Sequence, residues 1–218
     1  MTPNTTIIGA GIVGMSTAAF LQKQGHQVTV IDRVGPGEGC SFGNAGGVAF
    51  AEIMPTVHPR IFRKLPGWLM DPLGPLTIRW SYLPKALPWF MAMGRNAMPD
   101  RVKAITEARA RLAMRVVSDF EDILKPAGAK DLIRYQDTLR VFDSEAQFQS
   151  EAQDRAARKA HGFEMKPISG NEAREIEPAL GPNVHCAAFH GGWYFVTSPE
   201  RVVKTIAADV VANGGTVL

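Results

Sequence analysis

The sequence predicts an α/β fold: a discontinuous domain opened by a βαβ unit, with an α+β domain inserted into it. Three observations predict it. Two β-branched runs, Thr5–Ile8 and Val28–Ile31, flank glycines at 9, 11 and 14 and a helical stretch. Short alternating runs and capped helices fill the middle of the chain. A helix opened by Ser198-Pro199 and closed by Gly214-Gly215 then leads into Thr216-Val217-Leu218, the start of another strand. Residues 51–196 read as a domain of different character between the flanking segments 1–50 and 197–218.

The first run has the composition of a buried parallel strand. Gly9, Gly11 and Gly14 then fall in G-x-G-x-x-G spacing. Gly9 allows a tight turn, Gly11 lets backbone approach a pyrophosphate, and Gly14 lets helix and strand pack closely. The helix that starts here directs its free N–H groups and positive dipole end at the same phosphates. Ala18, Leu21 and Gly25 follow at the spacing of one helical face and its stop. Asp32 closes the second strand, where a carboxylate accepts hydrogen bonds from a ribose 2′-hydroxyl. Glycines alone occur often by chance; here strand, turn, helix stop and acid arrive in register. A secretory signal is excluded because no basic stretch precedes the apolar residues and the helix continues into Gln22-Lys23-Gln24.

Bulk composition narrows the classes. With 45% hydrophobic and 21% charged residues, the 218-residue chain is ordinary for a globular protein. A net charge of +3 with both signs interspersed predicts no nucleic-acid partner. Cys40 and Cys186 are far apart, form no metal or redox spacing, and suit a reducing compartment. No apolar run approaches the ~20 residues of a bilayer span. The cytoplasm is the expected location.

From Arg33 to Gly47 the chain holds six glycines and a proline in fifteen residues. Ser41, Asn44 and Gly46-Gly47 offer hydroxyl, amide and bare backbone donors to a ligand extending past the pyrophosphate. Residues 51–99 hold Pro55, Pro59, Pro66, Pro72, Pro75, Pro84, Pro88 and Pro99, which are expected to break any long helix. Their aromatics, Phe62, Trp68, Trp80, Trp89 and Phe90, suit packing in a loop-rich subdomain. Alternatively they cover a substrate cavity or, with Lys64, Arg79, Lys85 and Arg95, touch a membrane surface.

Asp100–Lys125 reads as one helix, its apolar face being Val102, Ile105, Leu112, Val116, Phe120 and Ile123. Leu132–Phe142 gives two strands joined near Asp137. Ser144 with Gln147 opens a helix to about Lys159, and Ser169 with Glu172 opens a short one ended by Pro178. Val184–Val196 reads as a strand pair turning at Gly191-Gly192. His185 and His190 flank Cys186 but fall on opposite strand faces with no second ligand cluster, so no metal site is predicted.

The glycine fingerprint, Asp32-Arg33 and the CSFGNAGG loop resemble the flavoprotein amine oxidoreductases typified by D-amino-acid oxidase. Among them, the S-x-x-N-A-G segment is most similar to bacterial D-amino-acid dehydrogenases. The resemblance implies a Rossmann-like FAD domain formed by residues 1–50 together with 197–218, with residues 51–196 as an inserted substrate domain. Its cofactor-binding set would be Gly9, Ala10, Gly11, Ile12, Val13, Gly14, Asp32, Arg33, Ser41, Asn44, Ala45, Gly46 and Gly47. With no histidine between Arg33 and Gly47, FAD is expected to be held non-covalently. The implied reaction is hydride transfer from a D-amino acid to flavin, giving a 2-oxo acid and ammonia, with a quinone or similar carrier as electron acceptor. The substrate alternatives are glycine, sarcosine or a cyclic imino acid. No side chain is predicted as a catalytic acid or base. The resemblance also implies that about as much chain again should follow, carrying the arginine and tyrosine for the substrate carboxylate. On that reading the chain is an N-terminal fragment, inactive by itself and at most an interaction partner.

Overall fold

The computed structural model describes residues 2–59, 61–74 and 76–218, without the side chains of Arg63 and Lys64. The expectations for Pro75 and for the Lys64 side chain therefore lie outside the described residues. Strand β1 (Asn4–Ile8), helix α1 (Ile12–Lys23) and strand β2 (Gln27–Ile31) open the chain. β1 and β2 pair in parallel from Asn4↔Gln27 to Ile8↔Ile31. Gly25, at φ +85°, takes the left-handed turn that stops α1.

The middle of the chain begins with β3 (Gly47–Ala49), α2 (Ile61–Met70), a 3₁₀ turn (Trp80–Tyr82) and α3 (Leu83–Asn96). Next come α4 (Pro99–Ala113), α5 (Val116–Leu124), β4 (Ile133–Tyr135) and β5 (Thr138–Phe142). Helices α6 (Glu145–Ser150) and α7 (Ala152–Ala160) precede β6 (Met165–Ser169) and α8 (Gly170–Ile176). Then follow β7 (Cys186–His190), β8 (Trp193–Val196), α9 (Pro199–Ala212) and β9 (Thr216–Val217). β9 joins β2 in parallel, giving the order β1-β2-β9. Two antiparallel sheets, β3-β8-β4 and β5-β7-β6, hold the other strands. The main core joins Met15 and Ala18 of α1, Val28 and Val30 of β2, and Val202, Ile206 and Val210 of α9. Tyr194, Ile123 and Leu124 extend it under β8 and α5.

Several expectations change. β1 is an outer strand of its sheet, so none of its residues is buried and Ile8 is 79% exposed. The prolines of residues 51–99 do not prevent helices: α2 contains Pro66, and the 14-residue α3 contains Pro88. Pro84 sits in the first turn of α3, where no carbonyl awaits its missing N–H, and Pro88 removes only one bond further on. The predicted helix over 100–125 divides at Met114-Arg115. There Arg115 N–H bonds back three residues to Leu112 O, and Arg115 O accepts from Asp119 N–H as α5 begins. The bend releases Leu112, which is 73% exposed, and α4 buries Thr106, Ala110 and Ala113 instead.

The next helix divides at Glu151 in the same way, through Glu151 N–H to Phe148 O. The Ser144 cap is present, accepting from Gln147 N–H at 3.2 Å, and Ser169 with Glu172 forms a full capping box. The chain does reverse at Gly191-Gly192, but β7 and β8 do not pair with each other. Both edges of β8 are taken by β3 and β4, and both edges of β7 by β5 and β6. β4 and β5 likewise enter separate sheets.

Candidate functional site

The glycine turn is built by three close approaches. Gly9 has φ +108°, a conformation that penalises any Cβ, and its N–H donates to Ile31 O at 2.8 Å. A Cβ on Gly14 would lie 1.8 Å from Gly9 O, so only glycine lets α1 start this close to β1. A Cβ on Gly11 would come no nearer to a neighbouring heavy atom than 3.6 Å, at Ser41 Oγ, leaving open space over the head of the helix. Gly11 is the N-cap of α1 without a side-chain cap, and the leading N–H groups have no preceding turn to bond.

Ser41, 29 residues downstream of Ile12, caps that head. Its buried Oγ accepts from Ile12 N–H at 3.2 Å, leaving the hydroxyl proton to donate. Asp32 ties the turn from the other side: Oδ2 accepts from Ala10 N–H at 2.6 Å and Oδ1 from Val34 N–H at 3.1 Å. Those two N–H dipoles, Ala10's the larger influence, hold the Asp32 carboxyl below its ordinary value. Each oxygen keeps a second lone pair for a hydroxyl.

The loop brings part of the predicted set together. Ile12, Ser41, Asn44, Gly46 and Gly47 line a cavity of about 180 Å³ with Phe120, Val196 and Val202. Gly46 has φ +67°, and a Cβ there would meet Val196 O at 2.3 Å, so the loop lies directly on β8. Asn44 uses both ends of its amide within the loop: Nδ2 donates to Cys40 O and Oδ1 accepts from Gly46 N–H. It shapes the loop rather than presenting a free donor. Arg33 and Ala45 are exposed and Val13 is 77% exposed; none of the three lines this cavity.

Sequence reasoning missed the groups behind this loop. Trp193 and Phe195 stack at 6.1 Å, and each ring comes within 3.5 Å of a Cβ built on Gly47. Trp193 Nε1–H donates to Nδ1 of His190 at 2.8 Å, which puts the neutral imidazole's proton on Nε2. His190 is 2% exposed, and burial holds its pKa down, so Glu52 at 3.6 Å faces a neutral ring. Buried Arg158 supplies the charge instead, donating to Glu52 Oε2 at 2.7 Å. Glu52 and Arg158 are 106 residues apart, beyond any spacing rule. The alternation of Trp193-Tyr194-Phe195 was the only local signal.

The three-dimensional arrangement also gathers Glu145, His185 and Cys186, whose ligand atoms lie within 4.8 Å of one another. The first two are exposed, and burial pushes the Cys186 thiol up, away from the thiolate that metals bind. Among the described residues no helix is long and apolar enough to cross a membrane.

Bare backbone at Gly9 and Gly11, an open helix head and an ionised diol acceptor at Asp32 are together suited to a dinucleotide. Comparison with known proteins agrees. The chain is 36% identical over 214 residues to a D-amino-acid oxidase of Bradyrhizobium diazoefficiens, covering 97% of this chain and 51% of that protein. It is 34% identical over 184 residues to a D-amino acid dehydrogenase of Azorhizobium caulinodans, covering 82% and 43%. The chain thus spans about half the length of the curated relatives it matches. The fold matches L-proline dehydrogenase from P. horikoshii with a TM-score of 0.65 and 19% identity, over 100% of this chain and 43% of that one. It matches glycine oxidase from Bacillus cereus with a TM-score of 0.57 and 16% identity, over 100% and 46%. Residues 4–218 match the FAD dependent oxidoreductase (DAO) family throughout, and the chain belongs to that family of FAD-dependent flavoproteins.

Proposed function

We propose that the protein containing this chain oxidises a D-amino acid, with water, to a 2-oxo acid and ammonia, passing the electrons to a quinone or similar carrier. Relatives named D-amino-acid oxidase and D-amino acid dehydrogenase at 34–36% identity support the substrate class. FAD, when bound, supplies the two-electron acceptor. The open backbone over Gly11 is the observation that carries the site assignment. In this reading the Gly9–Gly14 turn holds the pyrophosphate by backbone N–H groups. Asp32 accepts from the ribose hydroxyls, while Ser41, Gly46 and Gly47 line the path toward the flavin. FAD is held non-covalently, since no histidine lies between Arg33 and Gly47. Residues 1–50 and 197–218 form the FAD domain and residues 51–196 the substrate domain, in a cytoplasmic enzyme.

Two measurements test this. Gly11→Val puts a branched side chain where the pyrophosphate would lie, and the complete protein should then purify folded but colourless. A normal flavin spectrum in that variant refutes the site. Anaerobic bleaching of the bound flavin by D-, L- and N-methyl amino acids tests the substrate. Bleaching by sarcosine or L-isomers alone would replace the D-amino-acid reading.

A further inference from the structure

Behind the loop assigned to the flavin, a buried imidazole holds an aromatic ring in place. Gly46 and Gly47 have no side chains, so β8 fixes them. Val196 N–H donates to Gly46 O at 2.8 Å, and Gly47 pairs with Phe195 as Ala49 pairs with Trp193. The Trp193 and Phe195 rings stand on the sheet face toward which a Gly47 Cβ would point. Both are half-buried, whereas Tyr194 between them turns into the core. The polar anchor of the indole is the bond from its Nε1–H to Nδ1 of His190, across the Gly191-Gly192 reversal.

The imidazole cannot take another proton and keep the indole. Its Nε2 already carries a hydrogen, so a second proton must go to Nδ1, the atom that accepts from Trp193. Protonation then sets N–H against N–H, and the indole is released. The surroundings keep the ring neutral. Nε2 is buried with no hydrogen-bond partner among the described residues, and Glu52 Oε1 stands off at 3.6 Å. Arg158 of α7 holds Glu52 there through Oε2. Burial is the largest influence on the ring; Arg158 and Arg140 also oppose its charging, while Glu52 and Asp137 favour it. From β6, uncharged Met165 lies opposite His190.

We propose that His190 is a positioning residue for the cofactor: as a neutral acceptor it orients Trp193, whose ring sets Gly46 and Gly47 where FAD passes. This rests on the flavin-site reading above. In acid the ring gains its second proton, the indole is released, and FAD is held more weakly. Because the His190 pKa lies below its ordinary 6.5, the bond is intact at neutral pH and is lost as pH falls through the lowered value.

The test is the FAD affinity of the complete protein from about pH 8 to about pH 4.5, above the range in which Asp32 titrates. The indole N–H resonance of labelled Trp193 is followed in parallel. At neutral pH, His190→Leu and Trp193→Phe should each weaken FAD about 3- to 10-fold, the worth of one hydrogen bond. Combining them should cost no more than either alone. His190→Asn, whose Oδ1 accepts in place of Nδ1 but does not titrate, should keep the wild-type affinity and abolish its loss in acid. The Trp193 resonance should shift with the same midpoint as FAD release in the wild type and stay fixed in His190→Asn. Trp193→Phe keeps an aromatic ring and removes the donor, so it decides the matter if His190→Leu does not fold. Affinities indifferent to residue 190, additive losses, a His190→Asn as weak as His190→Leu, or an acid loss that persists in His190→Asn each overturn the proposal. Those results leave Gly11→Val colourless, whereas a flavin-bound Gly11→Val overturns the site reading beneath it.

Discussion

The β1-α1-β2 unit with α9 and β9, and the α2–α3 segment, are both rich in apolar residues and meet opposite fates. In the first, Val28, Val30, Val203, Ile206 and Val210 are fully shielded, and segments far apart in the chain interlock. Gln22 Nε2 donates to Val210 O at 2.9 Å and Gln27 Nε2 to Gly214 O at 2.7 Å. In the second, a 14-residue helix with Leu, Met, Phe and Trp buries nothing completely. Apolar content therefore does not locate the core; the availability of a covering partner does.

The contrast can be broken most severely at Gly14. Gly14→Ala forces a methyl into the Gly9 carbonyl at 1.8 Å, with backbone on both sides. Since neither side is a flexible side-chain tip, the loss should reach or exceed the ~1–3 kcal/mol of ordinary overpacking. An unchanged urea midpoint would show that the turn has slack. A paired measurement sharpens the contrast next. Ile206→Ala, in a fully buried site, should cost ~2–5 kcal/mol, whereas Leu87→Ala, half exposed on α3, should stay within about 0.5 kcal/mol. Equal losses at the two sites would erase the distinction between the regions.

The smallest effect is electrostatic. Asp32 is held below its ordinary value of 3.8, so it stabilises the fold above that pH, and the contribution disappears as pH falls through the lowered value. Urea midpoints of the wild type and Asp32→Asn, followed from about pH 7 to about pH 2, should differ by a constant amount until the acid limb and then converge. A gap that stayed constant into strong acid would mean the backbone bonds to Asp32 do not depend on its charge.

What was legible in the sequence was what short-range geometry fixes. Gly9, Gly11 and Gly14 declare a tight turn, and Gly25 the stop of the helix that follows it. Ser169 with Glu172, and Ser198 with Pro199, mark helix starts through bonds spanning three residues. What escaped depends on partners remote in the chain. Leu112 fits the helical period yet is exposed, because the bend at Arg115 redirects the buried face. β7 and β8 read as a hairpin because alternation says which residues share a face and nothing about which strand lies alongside. The cap on Ile12 from Ser41 and the Arg158–Glu52 pair join loops and helices that no periodicity relates.

The parallel pairing of β2 with β9 also sets a clock on biosynthesis. Gln22 and its partner Val210 are 188 positions apart, and the edge of β2 is satisfied only when Val217 meets Val30. At ~5–20 residues per second a ribosome takes about 10–40 s to deliver the second half of this contact after the first. Hairpins and helices form in microseconds, so nothing local closes the gap sooner. During those seconds the nascent chain carries an open strand edge and an uncovered α1, a surface for holdase chaperones or for neighbouring nascent chains on the same message.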